Sequence, residues 1–280
     1  SSTSASAPGP VGVRGAMPMR IRPLMLLVAG ARGLSLPKGR SITRFAASDF
    51  PAAWPYTEKD MTRMDESKDI LFYSSPRFVT HIDDGAIKAV KDYYDAVLPE
   101  KADVLDLCSS WISHLPDRPL GRVAGVGMNA QELEANEQLT EFVQADLNTT
   151  PKLSFDDESF DACLNVVSVD YLNQPQTIFQ EMHRVLRPGG QAIMSFSNRC
   201  FPTKAVKVWL EANDQQRQKI VATYFHCSVP GGWEDVEALD ISTSPAMPPP
   251  GKGGFEMMRS MLAGLVPGDP MFVVRATKAS

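Results

Sequence analysis

Several polar side chains follow directly on short apolar runs, the spacing that sets them at the ends of buried strands. Residues 103–107 (DVLDL) contain Asp106 and lead into Cys108-Ser109-Ser110-Trp111. Residues 123–126 lead into Gly127-Met128-Asn129, and residues 142–145 into Asp146-Leu147. Residues 160–167, which include Asn165, lead into Asp170-Tyr171, and residues 191–196 into Ser197-Asn198-Arg199. Open parallel sheets bind ligands outside the carboxyl ends of their strands. Carboxylates and amides in that position can accept from the hydroxyls and amines of a ligand. Asp170 can act as a general base if it lies within reach of an acceptor's proton, and it can equally cap the helix that follows. Tyr171 suits orienting an acceptor. Arg199 suits a substrate carboxylate or phosphate, or else a surface ion pair. The aromatic stretch 72–84 offers Tyr73, Arg77 and His81 as covering residues, and His226 can approach from the far side. Cys108, Cys163, Cys200 and Cys227 lie far apart with no CxxC, so neither a disulfide framework nor a metal site is predicted.

The elements that must carry these residues alternate. Ile87, Val90, Tyr94 and Val97 recur at helical spacing, which predicts a helix over 85–98, ended by Pro99. Asn129 followed by Glu132 predicts a capping box on a short helix through Asn136. Ile178, Met182 and Val185 mark a helix before Pro188-Gly189-Gly190, and residues 205–212 and 215–224 have helical patterns. Residues 236–241 and 271–276 close the pattern as strands. Strands separated by helices predict an α/β fold: a mostly parallel, seven-stranded sheet with helices on both faces. The Pro/Gly-rich residues 244–254, followed by apolar residues at helical spacing to Leu265, predict a loop-and-helix insertion near 244–268.

Residues 103–198 resemble the class I S-adenosylmethionine (SAM)-dependent methyltransferases, in the branch called type 11. The resemblance is most specific in FDDESFDACLNVVSVDYL and FQEMHRVLRPGGQAIMSFS, within residues 155–197. The wording DLCSSWISHLP, NVVSVDYL and MSFSNRCF is similar to a plant and algal subgroup. The resemblance implies a Rossmann-like fold and methyl transfer from SAM, with S-adenosylhomocysteine as product. It implies a cofactor site at Asp106, Cys108, Ser109, Ser110, Asn129, Asp146, Leu147 and Asn165. Asp146 would accept from the adenine amine and Leu147 would cover the ring. Asp170, Tyr171 and His81 would serve catalysis, and Tyr73, Asn198, Arg199 and His226 the substrate. Two positions depart from the family. Its first loop is glycine-rich, whereas none of residues 108–111 is glycine, and a non-glycine residue forced left-handed there costs about 1–2 kcal/mol. Gly127 stands where the family places the acid that holds the ribose. Asn129 has two readings, ribose ligand and helix cap. The alternative to an enzyme is a methyltransferase fold without catalysis, used as a scaffold or assembly subunit. No GxGxxG follows the first strand, which argues against a nicotinamide-dependent oxidoreductase.

Residues 1–48 hold seven basic residues and no acid, amid Ser, Ala, Gly and Pro. That composition reads as an organellar targeting segment, plastid first and mitochondrion as the alternative. The remaining residues, 49–280, carry 21 basic and 33 acidic side chains, a balance that repels phosphate backbones and argues against nucleic acid. No apolar run reaches the length of a membrane span. The expected organisation is therefore targeting segment 1–48, lead-in and lid helix 49–98, and a methyltransferase domain 99–280 acting on a small-molecule acceptor.

Overall fold

The computed structural model describes residues 42–243 and 268–280. The expected loop and helix over 244–267 and residues 1–41 of the targeting segment lie outside the described residues.

Five strands run parallel: β2 (Val104–Leu107), β3 (Val123–Gly127), β4 (Glu141–Gln144), β5 (Phe160–Val166) and β6 (Leu186–Phe196). β7 (Trp233–Asp240) and β8 (Phe272–Lys278) complete the other half, with β8 antiparallel to both β6 and β7. An eighth strand, β1 (Ile42–Arg44), pairs antiparallel with β7, so the order is β1-β7-β8-β6-β5-β2-β3-β4. This corrects two expectations. Among the described residues the sheet has eight strands, and the first of them, with residues 45–48 after it, falls within the expected targeting segment. Arg44 fixes the added edge by donating to Glu237 at 2.7 Å.

β2 and β3 are buried along their whole length, as expected where helices cover both faces. Side chains alternate across the sheet, so Val104 and Leu105 enter different cores. α2 (Asp84–Val97) packs Ala86, Val90 and Tyr94 onto one face, beside Val104, Val123 and Leu164. α4 (Pro175–Val185) and α6 (Asp214–Ser228) cover the other with Ile178, Phe179, Met182, Val221 and Phe225. Asp83 caps α2 by accepting from the Ala86 amide at 2.8 Å. The helix predicted over 205–212 is a single turn, α5 (Lys207–Leu210), because Val206 is extended and bridges to Arg63. β6 begins before the Pro-Gly-Gly turn, with a register shift opposite residues 160–162.

Candidate active site

The chain leaves β2 through a loop that manages without glycine. Cys108 adopts φ +58°, the left-handed conformation that glycine supplies at least cost. His114 at +54° and Val167 at +45° do the same, and all three line one cavity. Strain of this kind persists only where the surroundings over-determine it. At Cys108 and His114 a polar clasp does so. Asp106 Oδ2 accepts from Ser109 Oγ and Ser113 Oγ, each at 2.7 Å. Asn136 Nδ2 donates to Ser113 Oγ at 2.8 Å and to the Ser110 carbonyl at 2.9 Å. Burial raises Asp106 to about 6 against the opposing pull of the two serines.

Gly127 has a steric cause. A Cβ at this position would lie 2.2 Å from the Ser109 carbonyl oxygen. The loop crosses directly over the end of β3, so no acid can project from residue 127. Asn129 caps α3 (Ala130–Ala135) through Oδ1, and its Nδ2 donates to the Tyr73 carbonyl at 3.0 Å. The cap is as expected, but the Glu132 carboxylate goes elsewhere: it accepts from Ser110 Oγ at 2.6 Å and from the Arg77 amide at 2.7 Å. Glu132 therefore joins the loop after β2 to the segment that precedes α2. Trp111 makes a second tie, donating from Nε1 to the Val79 carbonyl at 3.1 Å.

Beneath that segment is a cavity of about 540 Å³, within the size range of small-molecule and cofactor sites. It opens at the carboxyl ends of β2, β3 and β5. Trp111 forms part of its wall and leaves it open. Of the residues singled out from the sequence, Asp106, Cys108, Ser109, Ser110, Asn129, Asp146 and Leu147 line it, as do Tyr73, His81, Tyr171, Asn198 and Arg199. Asp146 faces the cavity and also starts a turn, accepting from the Asn148 amide at 2.9 Å and from Thr149 Oγ at 2.7 Å.

Three of the residues lie elsewhere. Asn165 is fully buried and donates to the Leu107 carbonyl at 3.0 Å, tying β5 to the end of β2. His226 stacks on Phe50 with ring centroids 4.5 Å apart, away from the cavity. Asp170 sits behind the wall, 2% exposed, where burial lifts it to about 8. Its neighbour Tyr171 takes the facing position, and its hydroxyl accepts from the Phe201 amide at 2.8 Å. Phe201 in turn meets the His81 ring edge-on at 5.4 Å. Burial, and then the Arg77 charge, hold His81 below the ordinary histidine range. Burial alone lowers His114 to about 4. Arg199 pairs with Asp269 at 3.0 Å.

The sequence reading missed Asp69, which reaches the wall from α1 (Asp69–Phe72). Arg63 grips both its oxygens at 2.8 and 2.7 Å, and Lys204, 1% exposed, lies at 3.1 Å. Burial pushes Asp69 up, but the bonds from Asn148, Arg63 and Lys204 outweigh it and the net shift is downward. No local pattern advertises partners so far apart in the chain.

Residues 108–194 match the methyltransferase domain family. That match covers less than a third of the chain. The biotin biosynthesis bifunctional protein BioHC of Teredinibacter turnerae is 31% identical over 84 residues, which are 28% of this chain and 15% of that protein. The chain thus spans a small part of that relative's length. Among solved structures, a SAM-dependent methyltransferase of Thermotoga maritima aligns at 15% identity over 69% of this chain and 90% of its own, with a TM-score of 0.45. One from Mesorhizobium loti aligns at 16% identity over 68% and 98%, with a TM-score of 0.42. The cofactor this domain implies is SAM. Asp146 and Leu147, the pair that the resemblance assigns to adenine, stand side by side on the wall and fit it. At residue 127, where the family pattern has an acid, the contact between Ser109 and Gly127 excludes one.

Proposed function

We propose that the chain transfers a methyl group from SAM to a small organic acceptor. The observation that carries this reading is the open cavity at the strand ends, with the Asp146-Leu147 pair on its wall and Trp111 beside it instead of within it. Bound SAM supplies the electrophilic methyl group. Asp146 would accept from the adenine amine while Leu147 covers the ring, and the clasped loop 108–113 would present its backbone to the rest of the cofactor. The segment 73–82 keeps water from the reacting atoms, and positioning alone can lower such a barrier by about 7–11 kcal/mol. Of the three residues considered for catalysis, Asp170 faces no ligand space and holds its proton at neutral pH. His81 lines the cavity and is neutral at pH 7, so it can take a proton from an acceptor, with Tyr171 fixing the Phe201 ring against it.

Calorimetry with SAM and S-adenosylhomocysteine tests the reading. Micromolar binding that Asp146→Ala weakens at least tenfold is expected. The close contact over Gly127 favours a second reading, a fold of this family that serves as a scaffold. Absence of micromolar binding to the wild type would decide for it. We also propose an organellar address, plastid before mitochondrion, supported by the basic, acid-free composition of residues 1–48. Since β1 starts at Ile42, the removable part would end before that residue. A reporter fused to residues 1–41 that stays in the cytosol would contradict it.

A further inference from the structure

One cation on the cavity wall has no acidic partner among the described residues. Arg199 is paired with Asp269, and Arg63 and Lys204 with Asp69. Arg77 differs. Its guanidinium carbon lies 4.2 Å from the centroid of the Phe72 ring, 5.3 Å from that of Phe201 and 5.5 Å from that of Tyr73. Nη2 donates to the Phe72 carbonyl at 2.9 Å. Nη1 is buried and has no hydrogen-bond partner. The backbone of the same residue is pinned by Glu132 at 2.7 Å, so the guanidinium is held in place from both ends. Three rings strip water from the cation and leave one edge without a partner. A guanidinium presents its N–H groups in a fixed planar fork that matches a carboxylate.

We propose that Arg77 is a carboxylate-binding residue of this cavity, its Nη1 edge receiving an anionic ligand between the Phe72, Tyr73 and Phe201 rings. This deepens the methyl-transfer reading and rests on it for the identity of the ligand: the carboxylate is that of the cofactor's methionine portion or that of the acceptor. The aromatic box selects a planar, partly apolar anion over a strongly hydrated one. His81 meets the same Phe201 ring, which would set the bound anion beside the neutral imidazole.

The test compares wild type, Arg77→Met and Arg77→Lys by calorimetry with three probes. These are S-adenosylhomocysteine, its decarboxylated analogue, and benzoate with and without S-adenosylhomocysteine. Loss of a charge-assisted pair weakens binding roughly tenfold to a hundredfold. If the cofactor supplies the carboxylate, the wild type prefers S-adenosylhomocysteine over the decarboxylated analogue by at least about tenfold. Arg77→Met abolishes that preference and Arg77→Lys keeps part of it. If the acceptor supplies it, the preference is unchanged, and benzoate binds the wild type but at least about tenfold more weakly to Arg77→Met. The proposal is overturned if neither quantity depends on residue 77. Equal loss of both adenosyl ligands, with benzoate unaffected, overturns it too, because an anion-holding group must tell the two ligands apart. A wild type that binds no adenosyl ligand ends the methyl-transfer reading instead, and benzoate binding to the free protein then judges Arg77 by itself.

Discussion

Replacing Gly127 with alanine isolates the feature on which the cofactor loop depends. The added Cβ would stand 2.2 Å from the Ser109 oxygen, 3.2 Å from its carbonyl carbon and 3.0 Å from Leu133 Cδ2. The obstacle is backbone, and Ser109 is not free to retreat. Its amide donates to the Val126 carbonyl at 2.8 Å and its hydroxyl to Asp106 at 2.7 Å. Overpacking against a fixed neighbour costs about 1–3 kcal/mol. A backbone hydrogen bond lost as the loop lifts adds about 1 kcal/mol. The sum is about 3 kcal/mol, which for a body of this size lowers the melting temperature by about 6–12 °C. Scanning calorimetry measures that directly, and titration with S-adenosylhomocysteine should show the binding lost with it. Gly127→Asp sharpens the point. By family pattern alone, restoring the acid should tighten binding; by the geometry, it should destabilise at least as much as alanine and bind more weakly. A Gly127→Ala protein that melts within about 2 °C of wild type, or a Gly127→Asp protein that binds more tightly, would refute the account of why this loop lacks its acid.

Three other perturbations have signed outcomes. Because burial lifts Asp170 to about 8, the folded chain keeps a proton that the unfolded chain releases near pH ~4. This contribution to stability is complete below pH ~4 and is lost as the pH climbs to about 8. Asp170→Asn should remove that slope and gain on wild type by a few kcal/mol near pH 8; parallel urea-melt stabilities for the two proteins from pH 5 to 8 would count against it. Lys204→Met should cost about 3 kcal/mol, because among the described residues it leaves buried Asp69 with Arg63 as its one remaining cation; a thermal melt unchanged from wild type would show that the cluster is not formed. Trp111→Phe deletes the donor to Val79 and should cost at most about 1 kcal/mol. Its signature is faster hydrogen exchange in residues 77–82, and exchange as slow as in wild type would show that this tie does not hold the segment.

Much of the scaffold was legible because its signals are local. The four apolar positions of α2 and the unbroken apolar character of β5 each fix an element within a few residues of chain. The site was legible only to the level of strand ends. Asp170 and Tyr171 are adjacent, and a short 3-10 turn faces Tyr171 to the cavity and Asp170 behind it; a sequence pattern cannot choose between them. Glu132 reads as the return half of a capping box, and nothing nearby says that Ser110 and the Arg77 amide take its oxygens instead. β1 was read as part of a targeting segment because its composition is that of the residues before it. Its pairing with β7 is a contact across 193 positions of chain, by which Arg44 gains Glu237.

The loop after β2 shows how a family's motif can be absent while its geometry is kept. Glycine makes the left-handed turn at almost no cost, whereas Cys108 costs about 1–2 kcal/mol there. With His114 the loop carries about 2–4 kcal/mol of such strain, a large share of the stability of an ordinary domain. Four clasp bonds oppose it: Ser109 and Ser113 to Asp106, and Asn136 to Ser110 and Ser113. At about 1 kcal/mol each, more for the two to the carboxylate, they come to the same size. Burial subtracts from the compensation, because it disfavours the ionised form of Asp106. That carboxyl titrates at about 6 while an unfolded aspartate does so near ~4. The loop is therefore held in one conformation where a glycine loop samples several, so the entropy of ordering is spent on folding and not on binding. A rigid cradle of that kind accepts a narrower set of ligands. A first motif can therefore dispense with both the glycines and the acid, because Ser109 and Ser113 on Asp106 and Asn136 on the loop fix the turn instead.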